Sequence, residues 1–356
     1  MRSKLKHAGP ALKLRPHRVA RGAGGVGRPA RQHRTHRVAQ GRPETARTGP
    51  SGVKALARPA FGIVPGVSLA RRKETQPVKP PEPTQSAATA PSFGTLGALE
   101  VRLARSAAEI AASQRLRYHV FYEEMSAEPS PEMARTARDF DVFDPICDHL
   151  LVIDHSAPSD LGGFSVVGTY RLLRQDVAER HGGFYTQGEF DVEGLIARRP
   201  PGTRFLELGR SCTHLRYRNK PTIELLWHGI MSYVALHKMD VMFGCASIAG
   251  TDPGLLAPQL AFLHHEFGAP AEWVARAQPG RRIDMNRLSK EDVNVREALR
   301  ALPPLIKGYI RAGCYIGDGA VVDPQFGTTD VLIILPVDRI SDRYYSRFAK
   351  PETVSG

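Results

Sequence analysis

The spacing of apolar residues changes period along this chain. Leu99, Val101 and Leu103 alternate with polar neighbours and predict a strand over 99–105. Ile110, Leu116, Val120 and Phe121 fall at helical spacing, so 107–124 reads as a helix. Residues 126–143 are charged, carry Pro129 and Pro131, and predict an irregular loop. Apolar, β-branched runs at 147–154 (CDHLLVID) and 164–173 (FSVVGTYRLL) predict two strands. A glycine-bounded loop at 182–188 follows. A short strand with polar alternate positions is predicted over 204–213 (RFLELGRSCT). The segment 222–238 is a strong amphipathic helix and 240–246 a buried strand. Helix is predicted over 258–267 and over 295–312, the latter broken at Pro303–Pro304. Strands over 313–322 and 331–337 close the set. A long helix crossing between strands within such an order predicts an α/β domain of two or three layers on a mixed sheet.

Charge divides the chain. Residues 1–95 hold 19 Lys and Arg against Glu44, Glu74 and Glu82, a net of +16, whereas 96–356 carry a net of −3. The first segment also holds 11 Gly and 12 Pro, with Phe61 and Phe93 its sole aromatics. Too little apolar surface is present to offset the entropy of ordering it. Residues 1–95 are therefore expected to be a disordered basic tail and 96–350 one large domain. Three roles fit the tail: a solvated linker or over-long start, an arm on an anionic membrane surface, or non-specific nucleic-acid contact. The lack of aromatics among its arginines counts against nucleic acid. A secretory signal is not expected, because the basic start lacks an apolar core. No run of 18 apolar residues exists to span a membrane.

Candidate chemistry is sparse. Cys147, Cys212, Cys245 and Cys314 form no CxxC pair and read as small buried hydrophobes. No metal site is expected, since His264, His265 and Glu266 are adjacent on a helix and point apart. There is no GxGxxG, GxxxxGK[ST] or GxSxG. What remains is a set of charges on apolar elements, costly to bury unless paired. Arg117 and Phe121 share one helix face. Asp141 and Asp144 interrupt DFDVFD, Arg171 follows VVGTY, and Glu207 and Arg210 lie within FLELGRSC. Arg117 with the aspartates reads as an ion-pair network, while Glu207 is equally open to a catalytic or a structural role.

The run R117-YHV-F121, D141-VF-D144, R171-LL and E207-LG-R210 resembles the acyl-homoserine-lactone synthases, acyltransferases of the Gcn5-related N-acetyltransferase (GNAT) fold. Those enzymes usually carry Ser two residues after the Glu, where this chain has Gly209. RYHVFYEEM, DVFDPICDHLLVID, GTYRLL, FLELGRSC, ELLWHGI and the segment through FGTTDVLIILPV resemble more closely the ornithine–acyl-carrier-protein N-acyltransferases, sometimes called hemolysin-like. That resemblance covers about 98–348. It implies transfer of a 3-hydroxy fatty acyl group from acyl carrier protein to the α-amino group of L-ornithine, with a separate O-acyltransferase finishing the lipid. It also implies two central strands that splay to admit the pantetheine arm.

On this reading Glu207 is the candidate base, with His149 a second candidate. Asp141, Asp144 or Asp148 would hold the δ-ammonium of ornithine, and Arg171 or Arg210 its carboxylate. The loop HLRYRNKP has no glycine to cradle a pyrophosphate, and Arg216, Arg218 and Lys220 suit an acidic carrier protein instead. No cofactor is expected beyond the phosphopantetheine that arrives on the carrier. The implied setting is cytoplasmic, peripheral to the inner membrane. A lactone synthase and a non-catalytic membrane-interaction protein are the competing expectations.

Overall fold

The computed structural model describes residues 92–157 and 165–341. Within them lie nine strands: β1 (Gly94–Leu96), β2 (Leu99–Leu103), β3 (Asp148–Asp154), β4 (Val166–Arg174), β5 (Phe205–Thr213), β6 (Val241–Ala249), β7 (Arg282–Ile283), β8 (Tyr315–Asp323) and β9 (Thr328–Pro336). They form one mixed sheet in the order β1-β2-β3-β4-β5-β6-β9-β8-β7. Every neighbouring pair is antiparallel except β5 and β6, which run parallel. Parallel neighbours need a crossover, and helix α5 (Lys220–His237) supplies it.

Strand alternation sorts the core onto two faces. Leu150 and Val152 of β3 point with Leu172 and Leu206 toward α5, where they meet Leu226 and Ile230. Gly229 of α5 allows this approach, since a Cβ there would lie 2.5 Å from Val101 and 3.0 Å from Leu150. Leu151 and Ile153 point the other way, onto Leu116 of α1 (Ala107–Tyr118) and Val120. Asn219 caps α5 by accepting the Thr222 N–H at 3.1 Å.

Several predicted boundaries shift. The helix expected over 107–124 is α-helical to Tyr118 and then becomes a π-helical turn, His119–Glu124. The loop expected over 126–143 contains α2 (Pro131–Thr136), which Ser130 caps and Pro131 opens. Short helices α3 (Gln175–Ala178) and α4 (Val192–Ala197) and a 3-10 turn, Tyr185–Gly188, fill the stretch before β5. Helix α6 (Ala257–Phe267) stands where predicted, and the Pro303–Pro304 break separates α7 (Val295–Ala301) from α8 (Pro304–Ala312). The domain begins earlier than residue 96. β1 starts at Gly94, and His228 bonds the Phe93 carbonyl at 2.7 Å. Three residues are too few to show alternation, so composition alone assigned β1 to the tail. The expectations for residues 1–91, and for 342–350 at the other end, lie outside the described residues.

Candidate active site

β5 and β6 stay in register over three residues, with Phe205, Leu206 and Glu207 opposite Val241, Met242 and Phe243. They then part. A Cβ at Gly244 would sit 2.2 Å from the Leu208 carbonyl oxygen, so glycine alone fits where the strands diverge. On its other edge β5 bulges against β4 between Thr169 and Arg171. The bulge holds Arg210 at φ 47°, a left-handed conformation that strains a residue with a side chain. A cavity of about 290 Å³ opens in this cleft, walled by Phe121, Arg171, Tyr185, Glu207, Arg210, Cys245 and Asp330 among others. Open space lies in front of Gly209, where an added Cβ would meet nothing within 4 Å.

A charge network braces one wall. Arg117, fully buried, donates through Nε to Asp139 at 2.6 Å and through Nη2 to Asp144 at 2.7 Å. Arg171 donates to Asp141 at 2.6 Å and Asp144 at 3.1 Å. Arg210 lies 3.3 Å from Asp139 and donates to Asp141 at 3.1 Å. Three arginines thus meet three aspartates, the balance that makes their burial tolerable. Burial works to raise the Asp144 carboxyl, but Arg117 and Arg171 outweigh it and bring it down to about 2. Tyr185 adds its ring to the faces of Arg171 and Arg210, with centroids at 5.7 and 4.9 Å. Asp139 is the third aspartate of the network, beside Asp141 and Asp144. Its position five residues before Asp144 was legible, but nothing in the pattern set it apart from a solvated loop acid.

Glu207 stands outside this network. It is buried, and its two oxygens accept backbone N–H groups from Tyr185 at 3.1 Å and Thr186 at 2.7 Å. Burial raises its carboxyl above the ordinary range, and the hydrogen bonds from Thr186 and Tyr185 and the charge of Arg171 offset that only in part. Glu207 is therefore a buried carboxylate at the point of strand divergence, held by donors without a countercharge touching it.

A second acidic group lies beyond it along the same face. Glu189, Asp323 and Asp330 each offer an oxygen within 4.8 Å of the others. Asp330 neighbours Ser247 across β6–β9 and accepts the Thr328 hydroxyl at 2.9 Å. The Cys245 thiol sits 3.3 Å from Glu189 and 3.8 Å from the Thr186 hydroxyl, so a polar line runs from Glu207 to this cluster. Burial, then the charge of Asp330, pushes Glu189 up to about 7. Sequence reasoning missed all three acids, because Glu189 lies far along the chain from the two aspartates. The FGTTDV segment carried a family signal but no chemical one.

The raised Glu189 carboxyl has a consequence for stability. Its ordinary value is 4.5 and its folded value about 7. Between these the folded state holds the proton more tightly, so stability falls as pH rises from about 4.5 to 7, by up to about 3 kcal/mol. Glu189→Gln is expected to flatten this fall in urea titrations run at pH 5 and pH 8. An unchanged slope would show that Arg281, 3.4 Å away, already compensates the charge.

The remaining expected site residues sit elsewhere. His149 is buried beside the network, bonds the Asp144 carbonyl through Nε2 at 2.9 Å, and does not border the cavity. Burial lowers its pKa, which keeps the ring neutral. Asp148 points to the opposite face of the sheet, where it accepts the Tyr233 hydroxyl. It cannot join Asp141 and Asp144, because it stands opposite Leu172 while the adjacent Arg171, which holds those two aspartates, faces the other way. Arg216, Arg218 and Lys220 follow β5, and Arg218 pairs with Glu124 of the π-helical turn. Phe121 stacks edge-on against Phe326 at the cavity wall. Burial pushes the Cys147, Cys212 and Cys245 thiols far up and Cys314 to about 12, which leaves none of the four as a ready nucleophile.

Residues 116–228 match the family model described as an acetyltransferase (GNAT) domain, and the mixed sheet with flanking helices is that fold. The L-ornithine N(alpha)-acyltransferase of Rhizobium meliloti (strain 1021) is 52% identical over 267 residues, covering 74% of this chain and 90% of its own. That of Rhodobacter capsulatus is 43% identical over 246 residues, covering 69% and 92%. Among solved structures, an N-acyl amino acid synthase from uncultured soil microbes aligns over 70% of this chain and 94% of its own, at 11% identity and a TM-score of 0.40.

Proposed function

The chain belongs to the family of L-ornithine N(alpha)-acyltransferases, and from that premise we propose that it moves a 3-hydroxy fatty acyl group from acyl carrier protein to the α-amino group of L-ornithine. The product is a lyso-ornithine lipid, which a separate O-acyltransferase would complete. The observation that carries this reading is Glu207, a buried carboxylate with a raised pKa where β5 and β6 part.

Acyl transfer to an amine needs a neutral nucleophile, a placed thioester and donors for the oxyanion. Glu207 takes one proton from the α-ammonium, directly or through a water. The freed amine attacks the thioester carbon, forming the C–N bond. The oxyanion is met by backbone N–H groups on the edge of β5 that β6 leaves beyond Glu207. The C–S bond then breaks, and the departing pantetheine sulfur takes the second nitrogen proton. Arg171 and Arg210 border the cavity and present positive charge to the ornithine carboxylate. Their other donors are fixed by Asp139, Asp141 and Asp144, which holds the guanidinium groups in place and occupies the aspartates themselves.

The acyl carrier is acidic, and Arg216 in the turn after β5, beside exposed Leu215, and Lys220 at the start of α5 offer it charge. No helix among the described residues is long and apolar enough to cross a membrane; peripheral contact with an anionic surface would suit an amphiphilic product.

The full-length chain incubated with 3-hydroxyacyl carrier protein and a panel of amino acids tests the reading, with mass spectrometry of the products. N-acylated ornithine supports it, and no acylated amine from any acceptor overturns it. In the same assay, charge reversal at Arg216 and Lys220 is expected to raise the KM for acyl carrier protein about tenfold or more and leave that for ornithine unchanged. Equal rises in both would remove this loop from donor recognition.

A further inference from the structure

Asp139, Asp141 and Asp144 all face arginines, so none of them is left to receive a cationic substrate group. Asp330 differs. It is 7% exposed and borders the cavity, yet its hydrogen bonds come from neutral hydroxyls. Among the described residues, no Arg, Lys or His lies within ion-pair distance of Asp330 or Asp323. Glu189, in the same cluster, is paired at 3.4 Å with the half-exposed Arg281, whose charge also reaches Asp330 more weakly. A buried carboxylate without a countercharge is costly, and this one faces a cavity open to solutes. The opposite wall is cationic, with Arg171 and Arg210. The cavity is thus polarised, and Glu207 lies between its two ends on the same sheet face.

Resting on the N-acyltransferase reading, we infer that Asp330, with Asp323 and Glu189, is the seat for the distal ammonium of the acceptor and restricts it to diamino acids. The carboxylate of the substrate lies toward Arg171 and Arg210, its α-amino group at Glu207, and its side chain extends along β6 toward Asp330. The ammonium supplies the missing countercharge. A neutral side chain would leave the buried Asp330 without a countercharge, and that penalty is what separates ornithine from neutral amino acids.

The test compares ornithine with norvaline, which has the same carbon chain without the distal amine. Wild type should show a kcat/KM for ornithine at least about 100-fold above that for norvaline. Asp330→Asn should shrink this ratio by about 10- to 100-fold, mainly through the KM for ornithine. Damage to the fold alone would lower both substrates together and leave the ratio in place, so an unchanged ratio overturns the inference. Thermal melting controls for folding, and removing one of three like charges should not lower the melting temperature. Wild type that acylates norvaline as well as ornithine would overturn the inference and keep the N-acyltransferase reading. Wild type that acylates neither would overturn that reading instead. A wild-type protein that needs added Mg²⁺ or Ca²⁺ to bind ornithine would place a metal ion on the three acids and also overturn the inference.

Discussion

Glu207→Gln is expected to lower kcat for acyl transfer by about 100- to 10,000-fold, the usual worth of a positioned general base. Glutamine keeps the shape but cannot take the proton from the α-ammonium. It also turns an NH₂ group toward one of the two backbone N–H donors at Tyr185 and Thr186, which costs about 1–3 kcal/mol of local stability. Loss of activity alone would therefore not separate chemistry from folding. The pH profile does. A base must be ionised, so kcat/KM should rise with pH through a carboxyl value above the ordinary 4.5 of a glutamate. In Glu207→Gln this acidic limb should vanish, with the melting temperature showing a folded protein. If the limb persists at the same position, Glu207 is a positioning residue for the Tyr185–Gly188 turn, and Glu189 becomes the group to test.

Arg117→Met is expected to destabilise the fold by about 3–5 kcal/mol. Arg117 and Asp139 are both fully buried, and Arg117 also holds Asp144. Methionine fills much of the volume but strands carboxylates in the low-dielectric interior. Asp139 keeps Arg210 at 3.3 Å and Asp144 keeps Arg171 at 3.1 Å, so the loss falls short of two isolated charges. Urea unfolding should show a lowered midpoint with an unchanged slope. The exposed pair Arg180–Asp176 gives the contrast: Arg180→Ala should change stability by less than about 1 kcal/mol. A loss below about 1 kcal/mol for Arg117→Met would mean that the aspartates find protons or water instead. The same variant leaves Asp139 and Asp144 to draw Arg210 and Arg171 away from the cavity, and so should raise the KM for ornithine.

The two variants probe different parts of one design. The arginine–aspartate network fixes the cationic wall at a cost in desolvation. Glu207 is held by backbone amides and Asp330 by hydroxyls, whereas Glu189 keeps Arg281 at 3.4 Å.

Local pattern alone determined most of the elements of this chain. Periods of two and of 3.6 residues located β2, β5, α1, α5 and α6, continuous apolar runs located β3, β4 and β6, and the prolines themselves marked the Pro303–Pro304 break. Charges on apolar elements marked Arg117, Arg171, Glu207 and Arg210, since burial makes an unpaired charge expensive wherever it falls. Pairing was beyond its reach. Only the tertiary structure put Asp139 with Arg117, turned Asp148 to the far face, tied His149 to a carbonyl and gave Glu207 to backbone amides. It alone also brought Glu189 to Asp323 and Asp330, which follow it by more than a hundred residues. Partners across a sheet are chosen by strand order and register, and no local stretch of sequence carries either.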